Sequence, residues 1–121
     1  VVPLVGPSSL LLALMASGMN GQHFTFHGYL PIDSNLRIKK IRQIEEEAHK
    51  RNCTQMFIET PYRNEALLND ILKHCKNETL LCIASEVTSE NEWIKTKTIG
   101  EWKKEKISVH KKPVIFLLGI S

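Results

Sequence analysis

Gln55-Met56-Phe57-Ile58-Glu59-Thr60-Pro61-Tyr62-Arg63 passes from one kind of local structure to another within a few residues. Residues 55–58 read as a short strand. Thr60 belongs to the residue types that cap helices, and Pro61 suits a first helical position, where its missing N–H leaves nothing unpaired. Leu67, Leu68, Ile71 and Leu72 then recur at helical spacing and predict a buried stripe. A strand that hands over directly to a helix is the repeating unit of α/β architecture.

The same alternation extends in both directions. His23 to Tyr29 alternates as a strand, with Phe24 and Phe26 on one face. Pro31-Ile32-Asp33-Ser34 ends that strand and caps a helix whose apolar residues are Ile38, Ile41, Ile44 and Ala48. Glu45–His49, Glu46–Lys50 and Glu47–Arg51 stand four apart, each a surface pair of about 0.3 kcal/mol, so the glutamate run reads as a solvated face. Thr79 to Ala84 is almost continuously apolar, which places it centrally in a sheet. Glu86 to Glu92 reads as a loop, Trp93 to Ile99 as a strand, Gly100-Glu101-Trp102 as a turn or short helix, and Val114 to Leu118 as a final strand. The expected fold is α/β, a mixed sheet of about five strands flanked by helices.

The opening run, Val1-Val2-Pro3-Leu4-Val5-Gly6-Pro7-Ser8-Ser9-Leu10, leads into a helix that is apolar all round to about Ser17 and is therefore expected to be buried. The free N–H groups at its start suit a polar or anionic ligand, and suit equally the ordinary beginning of a buried helix.

The composition allows one domain with its own core: 121 residues, 42% hydrophobic, 24% charged. The net charge of +3 is too mild to indicate nucleic acid by itself. Lys103, Lys104, Lys106, Lys111 and Lys112 crowd the end, as a solvated loop or as a phosphate-binding patch. Cys53, Cys75 and Cys82 share no metal-ligand spacing, Cys82 reads as core, and a reduced, cytoplasmic setting is the simplest expectation. The apolar stretches are too short to span a bilayer, and no secretory leader is expected. Val1-Val2-Pro3 reads as mid-protein, so a fragment cut near a domain boundary is expected.

Among chemical motifs, His23 and His27 lie four apart, too far on a strand to chelate a metal, and no metal site is expected. There is no Ser/His/Asp elbow, no G-x-G-x-x-G and no Walker loop. Ligands of α/β sheets collect beyond the carboxyl ends of strands. That singles out Glu59-Thr60-Pro61, Ser85-Glu86-Val87 and the loop before Ser8. The helix start after Glu59, with Arg63, reads either as a carboxylate or phosphate holder or as a capped helix with a surface arginine. Trp93 and Trp102 read either as interface aromatics or as core.

Four segments, VVPLVGPSSLLLALMASGM, FTFHGYLP, QMFIETPYR and ASEVTSENEW, resemble in that order the second half of the tetrapyrrole methylase family. The nearest branch is the one that methylates ribose 2′-hydroxyls of small-subunit ribosomal RNA. The resemblance implies that residues 1–121 are the C-terminal domain of a two-domain methyltransferase whose N-terminal domain lies outside this chain. It also implies S-adenosylmethionine as cofactor and a homodimer as the working form. Carried over by position, Ser8, Ser9, Leu10, Glu59, Val87 and Val114 would contact the cofactor. Tyr29, Pro31, Arg63 and Glu86 would border the substrate, while the catalytic base stays unassigned. Ser85 and Ser89 stand where that branch carries Arg and Lys, and Tyr62 where it carries His. The loss of two cations leaves open a tetrapyrrole or other small-molecule substrate, or a non-catalytic dimerisation domain.

Overall fold

The computed structural model describes residues 12–15, 17–18, 23–86, 90, 92–105 and 114–120. In chain order the elements are β1 (Phe24–Tyr29), α1 (Ser34–Arg51), β2 (Thr54–Ile58), α2 (Asn64–His74), β3 (Leu80–Ser85), β4 (Trp93–Thr98), α3 (Ile99–Lys103) and β5 (Val114–Gly119). Residues 12–15 and 17 are also helical. The strands form one sheet in the order β1-β2-β5-β3-β4. β1 and β2 are parallel, β5 is antiparallel to both β2 and β3, and β4 is antiparallel to β3. The expected mixed, five-stranded α/β sheet is therefore found, with β3 paired on both sides and the last strand threaded between β2 and β3.

The period-2 alternation of the strands splits their side chains between two cores. On one face Phe57, Leu81, Ile83, Phe116 and Leu118 pack against Ile41 and Ile44 of α1, Leu67, Leu68 and Ile71 of α2, and Ile99 and Trp102 of α3. Phe57 and Phe116 stack with centroids 5.8 Å apart. On the other face Met56, Cys82, Ala84, Ile115 and Leu117 are covered by Ala13 and Leu14. Ser17 fixes that cover, because its carbonyl accepts from the Thr96 hydroxyl at 2.9 Å.

Trp102 resolves the choice between interface and core. It is fully buried, and its Nε1–H donates to the Leu81 carbonyl at 2.7 Å. Trp93 meets it edge-on at 6.0 Å and packs against the same core. Neither tryptophan is an open interface aromatic. The helix that carries Trp102 is only five residues long, and a reciprocal cap holds it: Thr98 Oγ1 accepts from Glu101 N–H while the Glu101 carboxylate accepts from Thr98 N–H. Those bonds hold the Glu101 carboxyl below the usual carboxylate range.

Three expectations are corrected. The first helix is not buried all round: Ala13 and Leu14 are buried, but Met15 is 73% exposed. The glutamate run is not wholly solvated. Glu45 is buried and accepts from Lys76 N–H at 2.7 Å and from the Thr79 hydroxyl at 2.6 Å, with His49 Nε2 a further 2.8 Å from that hydroxyl. The chain turns between α2 and β3, and Glu45 of α1 supplies the acceptor for those two donors. Only Glu47–Arg51 behaves as an exposed i,i+4 pair, at 3.3 Å. Finally, α2 begins at Asn64 rather than beside Pro61.

The cysteines are free thiols in different settings: Cys75 and Cys82 are buried and Cys53 is half-buried. Desolvation pushes the Cys75 thiol up to about 12, with Glu45 adding to the effect, and the Cys82 thiol up to about 11. Because the thiolate is the reactive form, both core thiols stay protonated well above neutral pH. Alkylation of the native protein followed by peptide mass analysis is expected to modify Cys53 first. Cys75 and Cys82 are expected to react only after denaturant is added. Trp102→Phe removes the bond to the Leu81 carbonyl and is expected to destabilise the fold by about 1–3 kcal/mol in chemical denaturation.

Candidate functional site at the strand tips

The pairing registers bring the strand tips to one rim. Tyr29 pairs with Ile58, Ile58 with Ile115, and Ser85 with both Val114 and Trp93. The carboxyl ends of β1, β2 and β3 thus stand beside the amino ends of β5 and β4. Of the positions expected at a ligand site, Tyr29, Glu59, Glu86 and Val114 are gathered here. Ser8, Ser9, Leu10 and Val87 lie outside the described residues.

Glu59 is the most constrained of these residues. Its side chain is 1% exposed, and Oε1 accepts from Thr60 N–H at 2.8 Å and from Arg63 Nε–H at 3.2 Å. The Arg63 Nε–H is thus engaged by a carboxylate of the same chain, while its side chain is still 38% exposed. The clamp also explains the late start of α2. Glu59 fixes the Thr60 N–H, the Thr60 carbonyl accepts from Arg63 N–H at 2.9 Å, and residues 61–63 form a turn. The first helical carbonyl is then that of Arg63, which accepts from Leu67 N–H at 3.1 Å. Arg63 caps α2 without a side-chain bond, and Thr60 does not cap it.

Three buried polar atoms at this rim have no hydrogen-bond partner among the described residues: Glu59 Oε2, Thr60 Oγ1 and Ser85 Oγ. A buried polar atom without a partner costs roughly 1–3 kcal/mol, so such atoms are rare unless something else satisfies them. Here they cluster at the ends of β2 and β3, the two strands on either side of β5. Glu86, the next residue after β3, has φ 51, an unusual conformation for a residue with a side chain. Strain of this kind collects at binding sites. Val114 is buried within the larger core, so only its main chain is available to a ligand. Pro31 is half-buried and leads into α1, whose cap is Asp33, accepting from Leu36 N–H at 3.0 Å.

Gly28 shapes the β1 end of the rim. Phe26 pairs with Met56, so strict alternation would set Gly28 against Ile58, yet Tyr29 takes that place. The extra residue is a β-bulge, and the φ of +71 at Gly28 is a conformation open to glycine at little cost. Sequence reasoning missed the bulge; it singled out the Thr60 and Ser85 segments by their place at strand ends, but not their hydroxyls as contact groups. A polar residue closing the apolar run of β3 was the available signal for Ser85.

Among the described residues no helix is long and apolar enough to cross a membrane, and no group of three or more His, Cys, Asp or Glu is placed to hold a metal ion.

The fold is similar to that of a solved methyltransferase. The crystal structure of the methyltransferase CobJ superposes with a TM-score of 0.58 over 93% of this chain and 47% of that one, at 16% identity. No protein-family model matches the chain. In sequence it is similar to ribosomal RNA small subunit methyltransferase I of Buchnera aphidicola subsp. Schizaphis graminum, 31% identical over 121 residues. The protein of that name from Vibrio cholerae is 36% identical over 101 residues. The alignments take in 98% and 84% of this chain but only 41% and 34% of those relatives. The resemblance to the tetrapyrrole methylases is thereby borne out: the chain is homologous to a stretch of these methyltransferases.

The Glu59–Arg63 clamp is testable by denaturation of the full-length protein. Arg63→Met leaves a buried carboxylate short of a donor and is expected to destabilise by about 1–3 kcal/mol. Adding Glu59→Gln removes the charge that Arg63 answered, so the double variant is expected to recover part of that loss.

Proposed function

We propose that residues 1–121 form the C-terminal domain of an S-adenosylmethionine-dependent methyltransferase acting on a ribose 2′-hydroxyl of small-subunit ribosomal RNA. The observation that carries this reading is the cluster of buried atoms without a partner among the described residues, Glu59 Oε2, Thr60 Oγ1 and Ser85 Oγ, at the strand tips. The names of the relatives support the reaction and the RNA substrate.

The donor set fits the cofactor. S-adenosylmethionine carries hydroxyl and amino donors together with ring-nitrogen acceptors, and supplies an electrophilic methyl group on a sulfonium. Glu59 Oε2 is an acceptor awaiting a donor, while the Thr60 and Ser85 hydroxyls can give or take a hydrogen bond. Ser8, Ser9, Leu10, Val87 and the Val114 main chain are proposed as the remaining cofactor contacts.

On the substrate side, Tyr29, Pro31, Arg63 and Glu86 border the acceptor. A ribose hydroxyl must lose its proton as it attacks, and Glu86 is the rim carboxylate proposed to receive it. Most of the acceleration then comes from holding the nucleophile in line with the methyl group. The working form is proposed to be a cytoplasmic homodimer of the full-length protein.

Calorimetry with the full-length protein tests the cofactor assignment. Glu59→Ala is expected to weaken S-adenosylmethionine binding by about tenfold or more, the loss of one charge-assisted hydrogen bond. Transfer of labelled methyl to small ribosomal subunits tests the substrate. An intact, folded protein that binds no S-adenosylmethionine overturns the reading. Methylation of a small molecule in place of RNA overturns its substrate half.

A further inference from the structure

Two large aromatic side chains remain open to solvent at the rim. Tyr29 is 64% exposed and Tyr62 is 73% exposed. They follow neighbouring parallel strands: Tyr29 ends β1 opposite Ile58, the last residue of β2, and Tyr62 stands in the turn just beyond. Adjacent strands lie about 4.8 Å apart, so both tyrosines leave the sheet from the same short stretch of rim. The structure spends specific devices on both positions. The Gly28 bulge gives Tyr29 the register place that strict alternation would assign to a glycine. The bond from Arg63 N–H to the Thr60 carbonyl tightens the turn that carries Tyr62.

Arg63, next to Tyr62, has its guanidinium tied to the buried Glu59 carboxylate. The adjoining cation is thus paired with a carboxylate, and the two exposed rings offer planar surface. A phosphate is poorly served there. A flat, polar, unpaired ring is well served, because phenol faces stack on nucleobases irrespective of base identity.

We propose that Tyr29 and Tyr62 form a stacking shelf for unpaired bases of the RNA, holding the strand beside the pocket built on Glu59, Thr60 and Ser85. This inference rests on the RNA-methyltransferase reading above. The shelf fixes the position of the acceptor strand through ring contact, while phosphate neutralisation is left to other parts of the protein. The contribution of the shelf is therefore insensitive to salt, unlike a cationic contact.

The test is methyl transfer from labelled S-adenosylmethionine to small ribosomal subunits by the full-length protein, comparing Tyr29→Ala, Tyr62→Ala and the corresponding Phe variants. Loss of a stacked base is expected to raise KM for the subunit by about 5- to 100-fold in each Ala variant. The Phe variants keep the ring and are expected to stay within about twofold of the parent. S-adenosylmethionine binding by calorimetry is expected to be unchanged in all four. The slope of log KM against log salt is expected to match the parent, with only the intercept moved.

An unchanged KM in the Ala variants of an active enzyme overturns the shelf and leaves the methyltransferase reading standing. Phe variants as impaired as Ala, or a weakened self-association in place of a raised KM, likewise overturn it. A parent enzyme that binds S-adenosylmethionine but methylates no ribosomal RNA overturns the RNA reading and the shelf with it.

Discussion

The position of β5 governs the rest of the molecule. It runs antiparallel between β2 and β3, two strands that are parallel to each other and separated in sequence by α2. By pairing with both, it sets the tip of β2 and the tip of β3 level with each other across its own first residues. A slip of one residue along β5 would turn Phe116 and Leu118 out of the larger core and bring Leu117 into it, since strand side chains alternate between faces. The stacking of Phe57 on Phe116 and the packing of α1, α2 and α3 on that face fix the register.

What the register then presents at the rim is polar and incompletely satisfied. The larger core ends in Ile83 and Val114, and directly beyond come Ser85, Glu86 and, across β5, Glu59 and Thr60. Local clamps hold several of these groups in place. Arg63 and the Thr60 N–H occupy one oxygen of Glu59, and the other has no partner among the described residues. At the opposite end of the sheet a buried carboxylate is treated differently. Glu45 is met by Lys76 N–H and the Thr79 hydroxyl and serves to tie α1 to the turn before β3. The contrast is between an acid tied to its own chain through Oε2 and one whose Oε2 has no partner among the described residues.

Much of this was legible in the residues. Alternation in β1, the apolar run of β3, the helical spacing of Ile41, Ile44 and Ala48, and the apolar run from Val114 to Leu118 each mark an element through its own local pattern. The rule that ligands gather at carboxyl ends of strands pointed to Glu59 and to Ser85-Glu86. Two local readings failed because a specific side-chain contact, one near in sequence and one far, outweighed the preference of residue type. Thr60 is a good cap by residue type, but the Glu59–Arg63 pair pushes the helix start to Asn64. Glu45 sits in a run that reads as solvated, but its partners lie about thirty residues away.

The sequence by itself determined the class of fold, the order of strands and helices along the chain, and the family resemblance. All of these depend on periodicity and on short motifs of neighbouring residues. Only the tertiary structure decided that the last strand lies at the centre of the sheet, that Trp102 is core, and that Tyr29 is displaced by a bulge. It alone left Glu59, Thr60 and Ser85 together with polar atoms unmet among the described residues. The physical reason is that strand order, register and the satisfaction of a buried hydrogen bond are relations between residues far apart in the chain. No local pattern records which partner a strand or a carboxylate will find.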